Sequence, residues 1–217
     1  MASGDSIYAI STSPSGYNDL SYYTDGITWA NAIGASPRLQ TDGATATRVD
    51  VGTATYGGGN YYVNEILFAF DVSDIPSGSS ITAATIAVRY VNLDNAKGNH
   101  VEEIFAYDWG SGISTADWRQ GGASGWLHTN LSSRVAYRTP SSSDGTSSYR
   151  DFTSDGLADA VSDAVADDGI LRLVAASNLF RSDSAPSGAN GAGWYSADTS
   201  YPQRLIVTYT AGSSGIP

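Results

Sequence analysis

Hydrophobic and polar positions alternate most clearly between Glu65 and Val91, EILFAFDVSDIPSGSSITAATIAVRYV. Ile66, Phe68, Phe70 and Val72 fall on one side of an extended chain, because successive side chains point to opposite faces. The run from Asp71 to Gly78 breaks the pattern: Pro76 has no amide to give to a ladder, and Gly78 tolerates positive φ. Ile86, Val88 and Tyr90 then resume the alternation. The stretch predicts a strand, a proline turn and a second strand.

Weaker patterns extend the reading along the chain. Further strands are predicted over Ser6–Ser11, twice within Arg38–Val51 with a turn at Asp42-Gly43, over Val101–Tyr107, over Val135–Arg138 and over Ile170–Ala175. Gly16–Gly34, Tyr56–Tyr62 and Pro140–Ser148 read as loops, and Asn92–Asn99 as a turn. Trp109–Trp126, rich in Gly, Ser and Trp, reads as an irregular wrap. Only Gly156–Ala166 has helical period, with Leu157, Val161 and Val165 at i, i+4 and i+8. Ser154 or Asp155 is its expected cap and Gly169 its stop. With no repeat and no linker, the expectation is one domain over residues 1–217. Its fold class is all-β: an antiparallel, jelly-roll-like β-sandwich with one short helix at about 156–166.

Composition narrows the function. The chain has 217 residues, enough for a core without staples, and no cysteine, so disulfides and thiolate metal sites are excluded. The net charge is −11, and Lys97 is the only lysine, which argues against a nucleic-acid partner. Aspartate dominates the acids; the only glutamates are Glu65, Glu102 and Glu103. The start shows no secretory signal and no window approaches a membrane span, so assembly in a cytoplasm is expected, without membrane contact.

The sequence displays no catalytic constellation. Gly4-Asp5-Ser6 lacks the strand and the following histidine that a hydrolase nucleophile needs, and no G-x-S-x-G elbow occurs. The two histidines, His100 and His128, read as surface or half-buried structural groups. Glu102 and Glu103 adjoin on a strand and must face opposite ways, so they cannot work as a glycosidase pair. Asp167-Asp168 reads as a helix end, and Gly57-Gly58-Gly59 lacks the Lys-Ser/Thr of a phosphate loop. No cofactor is expected. A structural calcium at Asn92, Asp94 and Asn95 is the alternative to an Asn/Asp turn there. The chain is expected not to be an enzyme.

Tyrosine and tryptophan, at fourteen and five, greatly outnumber what a purely apolar core requires, and both suit interfaces and sugar stacking. Tyr56, Tyr61 and Tyr62 surround the glycine-rich loop and are the candidate contact residues for a partner or ligand.

Two segments carry a family resemblance. Phe70-Asp71, Ile75-Pro76-Ser77-Gly78 and Ile81-Thr82-Ala83-Ala84-Thr85-Ile86 resemble the DNRLRE-type β-sandwich domain of phage structural proteins, adhesins and carbohydrate-binding modules. Pro202-Gln203-Arg204-Leu205-Ile206-Val207-Thr208-Tyr209 looks like that family's closing strand. The resemblance implies a jelly-roll sandwich and, in some members, glycan binding; it does not imply an enzyme. The expected function is a structural protein of a tailed-phage virion, decorating the capsid or another outer surface. Its expected partners are other virion proteins of the capsid lattice, further copies of itself, and host glycans. The alternative is a carbohydrate-binding or adhesin module.

Overall fold

The computed structural model describes residues 3–8, 20–42, 48–55, 59–95, 100–110, 112–122, 124–141, 144, 146–196 and 199–212. In chain order the elements are β1 (Ser3–Tyr8), β2 (Leu20–Gly26), α1 (Trp29–Gly34), β3 (Arg38–Asp42), β4 (Arg48–Thr55), β5 (Tyr61–Asp71) and β6 (Ser80–Val88). Then follow β7 (Tyr90–Asn95), β8 (Glu102–Ala106), α2 (Trp126–Thr129), β9 (Arg134–Arg138), β10 (Arg150–Asp151), β11 (Thr153–Ser154) and α3 (Leu157–Ala166). The chain closes with β12 (Ile170–Ser177), α4 (Asn178–Arg181), β13 (Asn190–Tyr195) and β14 (Arg204–Thr210).

All strand pairs are antiparallel and form two sheets, so the chain is an all-β sandwich. The small sheet runs β1-β14-β6-β10. The large sheet runs β11-β9-β8-β12-β5-β4-β13-β7, with β2 joined to β5 and β3 to β2. The predicted alternation is what joins the sheets. Ile66, Phe68, Phe70 and Val72 enter one buried cluster with Ala84, Ile86, Val88, Leu205 and Val207 of the small sheet. Tyr90 belongs to the same cluster although β7 lies in the large sheet. The chain crosses from one sheet to the other at Arg89, so a single alternating run lines the core from both sides.

The opposite face of the large sheet is also covered. Val63, Leu67, Phe105, Val174 and Ala176 meet Ala32 of α1, Trp118, Leu127 and Phe180 in a second buried cluster. Trp109, Ile113 and Trp126 pack against it. The stretch expected to wrap the sandwich therefore forms a third layer. That explains why the central strands β5 and β12 are apolar on both faces.

Several boundaries differ from the sequence reading. The expected loop over residues 16–34 contains β2 and α1; Thr28 Oγ1 caps α1 by accepting from the Asn31 amide at 3.2 Å. The two strands expected within 38–51 form, but β3 pairs with β2 and β4 with β5 and β13, not with each other. Residues 92–95, expected in a turn, extend β7 along β13.

The expected ten-residue helix is α3. Single-turn helices and α1 accompany it, so it is not the one helix. It buries Leu157, Val161 and Ala164, with Val165 packed beside them. Gly156, at φ 99°, takes the N-cap position that Ser154 or Asp155 was expected to hold, and no side chain caps this end. Gly169, at φ 80°, closes the other end by donating its amide to the Ala164 carbonyl at 2.9 Å.

Candidate functional site

Of the three candidate tyrosines, Tyr61 and Tyr62 can be placed, and they do not share a face. Tyr56 lies outside the described residues. Tyr61 and Tyr62 open β5 instead of lying in a loop, and as neighbours on a strand they point to opposite faces. Tyr61 is half-buried beneath α1, its ring edge-on to Trp29 at 5.9 Å, while Trp29 Nε1 donates to Asp183 Oδ1 at 2.8 Å. Tyr62 is also half-buried, opposite Ala54 in register.

Ala54 borders a polar pocket of about 90 Å³ between β4, β7 and β13. Arg48, Asp50, Asn64, Asn92 and Asn190 line it, with Arg48 Nε 2.9 Å from Asp50 Oδ1. Gly52, at φ 133°, forms part of the wall; a Cβ there would sit 2.4 Å from the Gly191 Cα, so no larger residue fits. Of the expected calcium ligands, Asn92 reaches this pocket, and Asp94 and Asn95 continue the strand. Among the described residues no group of three acidic or histidine side chains converges on a metal position.

All three glutamates are buried, and each is closed by the fold. Glu102 lies in the sandwich core, where its carboxyl accepts from Tyr90 Oη at 2.7 Å and Trp194 Nε1 at 3.1 Å. His100, expected near the surface, is buried beside it. Its Nδ1 is 3.1 Å from Ser177 Oγ, and its Nε2 is 4.0 Å from Glu102 Oε1. Burial pushes the Glu102 carboxyl up to about 7, although the Tyr90 and Trp194 hydrogen bonds act the other way. Burial pushes the His100 imidazole down to about 4. Both groups are therefore neutral in mildly acidic solution. Ser177, His100 and Glu102 superficially resemble a hydrolytic triad, but all three are fully buried, and Ser177 Oγ already caps α4 by accepting from the Leu179 amide.

Glu103 faces the other way, as strand alternation requires, and holds two arginines: Arg134 Nη1 at 2.9 Å and Arg181 Nε at 2.5 Å. It ties β9 and α4 to β8. Glu103→Gln keeps the shape and removes the charge, and a loss of about 2 kcal/mol of stability is expected by chemical denaturation; an unchanged midpoint would show that the ion pairs contribute nothing. Glu65 is buried under the third layer and accepts from the Arg119 amide at 3.0 Å, and burial raises its carboxyl well above the ordinary range.

Half-exposed aromatic and cationic side chains gather in two places. Tyr107, Trp109 and Trp126 gather under Arg119, whose guanidinium carbon is 4.2 Å from the Tyr107 ring centre. Their ring planes meet at 51–63°, so they offer no flat row for stacking a sugar. A second group stands where the chain crosses between sheets. Arg89 lies 3.6 Å above Tyr201 and 5.4 Å from Tyr195, and Arg204 lies 3.8 Å above Tyr149. Tyr149 Oη donates to the Pro202 carbonyl at 3.0 Å, and Arg89 Nε to the Thr146 carbonyl at 2.6 Å, which joins the two stacks into one corner. This corner is not legible in the sequence, because its members are up to 115 residues apart (Arg89 to Arg204) and only the fold brings them together.

Fold and surface thus define an antiparallel β-sandwich whose buried acids are sealed and whose polar contacts lie outside. Neither the family models nor the curated proteins searched contain a match to this chain. Among the described residues, no helix is long and apolar enough to cross a membrane.

Proposed function

We propose that this chain is a non-catalytic protein that works by presenting surfaces, and that its setting is the outer surface of a tailed-phage virion, as a capsid decoration or comparable component. The observation that carries the non-catalytic reading is the closure of all three glutamates by tyrosine, tryptophan, arginine or backbone partners, while stacked arginine and tyrosine stay half-exposed. Catalysis by paired carboxylates needs two that reach substrate, whereas tyrosine and arginine are enriched in contact surfaces. The resemblance of the Phe70–Ile86 segment and the closing strand to DNRLRE-type domains supports the virion setting. An acidic surface keeps such particles soluble and mutually repelling, and repetition on a lattice turns weak contacts into firm attachment.

The test is imaging of purified particles from the native source, with mass spectrometry of their proteins. The chain is expected at regular lattice positions in stoichiometric copies. Its recovery only as unattached protein would overturn the virion assignment. A carbohydrate-binding module is the second reading, favoured by the polar pocket lined by Asp50, Asn64, Asn92 and Asn190, since amide and carboxylate groups in a recess suit sugar hydroxyls.

A further inference from the structure

The distribution of ion pairs is uneven in a way the fold does not require. The chain has twice as many acidic as basic residues, 22 against 11. Every arginine therefore has carboxylates to choose from, and seven of the ten take one within 4.0 Å, from Arg38 at one end of the sequence to Arg181 near the other. Arg119 instead satisfies itself on the Asp117 and Ala116 carbonyls. Arg89, whose Nε donates to the Thr146 carbonyl, and Arg204 likewise take no carboxylate among the described residues, and they share with Arg119 over Tyr107 the stacking of a guanidinium on tyrosine. Arg89 lies over Tyr201 and Arg204 over Tyr149, and the two share one corner. Asp198, in the adjoining segment, lies outside the described residues. An arginine over an aromatic ring is held in place while its remaining N–H groups stay available to a planar anion. Tyr201 is itself 39 % exposed, and the neighbouring strand presents Ile206 at 37 %.

The opposite surplus stands on α3. Its buried face is Leu157, Val161 and Ala164, its solvent face carries Asp159 and Asp163 at i and i+4, and exposed Asp167 follows at the C-cap. None of the three makes an ion pair among the described residues. Like charges at this spacing repel, and acids in the last turn oppose the helix dipole. Asp163 and Asp167 therefore weaken the helix end, and among the described residues only the attraction between Asp167 and Arg172 offsets this.

We propose that the Arg89–Arg204 corner docks the Asp159–Asp163–Asp167 stripe of a second copy of this chain. Guanidinium groups braced on tyrosine meet carboxylates in a row, with Tyr201 and Ile206 supplying apolar contact at the edge. The two patches are different surfaces, so the contact is head-to-tail. Each copy keeps one unused patch of either sign, and growth continues into a ring or an open row. This goes beyond the virion assignment and does not depend on it, since it concerns the purified chain alone.

Sedimentation velocity of the purified protein tests it. At about 10 mM ionic strength, where charges interact over about 30 Å, the sedimentation coefficient is expected to rise with protein concentration. At about 1 M salt, where the range falls to about 3 Å, it is expected to return to that of a monomer. Arg89→Glu with Arg204→Glu is expected to weaken the association at least about tenfold, as is Asp159→Lys with Asp163→Lys and Asp167→Lys. The decisive sample is the mixture of the two reversed variants. Each alone stays monomeric, but together the intact stripe of one variant meets the intact corner of the other, and the two reversed patches complement as well, so association returns. That recovery also shows that both variants are folded. A wild-type protein that stays monomeric at low salt, or variants that associate as the parent does, would overturn the proposal. So would a mixture that stays monomeric while both variants keep the parent's circular dichroism.

Discussion

Replacing Trp194 with alanine is expected to cost about 5 kcal/mol, the largest loss from any single side chain considered. Trp194 is fully buried at the centre of the sandwich. Its ring meets Phe68 edge-on at 5.8 Å and Phe152 at 5.6 Å, so its removal opens a cavity between the large sheet and the strands that face it. Truncating a large buried aromatic typically costs about 3–5 kcal/mol. Its indole N–H is also one of two donors to the Glu102 carboxyl, and losing that bond adds about 1 kcal/mol. A domain of ordinary stability has about 5–15 kcal/mol in all, so the variant is expected near the edge of folding. Urea unfolding measures this. Trp194→Phe keeps most of the ring volume and loses the donor, so it separates the two contributions. A loss below about 1 kcal/mol for the alanine variant would contradict the packing described.

The second large effect is a pH dependence. Glu102 has its carboxyl raised from an ordinary 4.5 to about 7 by burial. A group raised on folding contributes stability that is fully present below its unfolded value and is lost as pH climbs through its folded value. The Glu102 contribution is therefore complete below about pH 4.5 and gone above about pH 7, a change of about 3 kcal/mol. His100 acts in the opposite sense. Its value is lowered from 6.5 to about 4, again by burial, so its contribution is present above 6.5 and lost as pH falls towards 4. Between about pH 4.5 and 6.5 the two largely cancel in the wild-type protein.

Glu102→Gln exposes the cancellation. Glutamine keeps a carbonyl oxygen for Trp194 Nε1, turns its amide N–H towards Tyr90 Oη in place of the second carboxyl oxygen, and never ionises. The stability of the variant relative to wild type is expected to rise by about 3 kcal/mol between about pH 5 and pH 8. Contributions of groups unchanged by the substitution, Glu65 included, drop out of that difference. Denaturant midpoints measured across the range give the curve directly. A flat difference would mean that Glu102 ionises in the fold as it does in the open chain, and that the site is better solvated than its geometry indicates.

Legibility in the sequence followed the range of the forces involved. The β5 and β6 strands were readable because alternation and a proline turn are local, and so was α3, whose period is visible in eleven residues. The opposite orientation of Glu102 and Glu103 was readable for the same reason. Residues 20–34 were not, because the order conferred on them comes from β5, which pairs with β2, and from the second core, which buries Ala32. His100 was misplaced because its polar neighbours in sequence are replaced in the fold by Ser177, Glu102 and the sandwich core. Tyr61 and Tyr62 were grouped as one platform because a glycine-rich loop precedes them; the strand that begins there sends them to opposite faces.

The sequence by itself determined the all-β class, the lack of cysteine chemistry, the acidity, and the strand alternation that builds the central core. These follow from composition and from side-chain period, neither of which needs distant residues. Only the tertiary structure decided which strands pair, that a third layer covers the large sheet, and that Arg89, Tyr149, Tyr201 and Arg204 share one corner. Pairing and stacking join residues far apart in the chain, and such contacts are selected by the packing of whole faces against one another, which no short window of sequence contains.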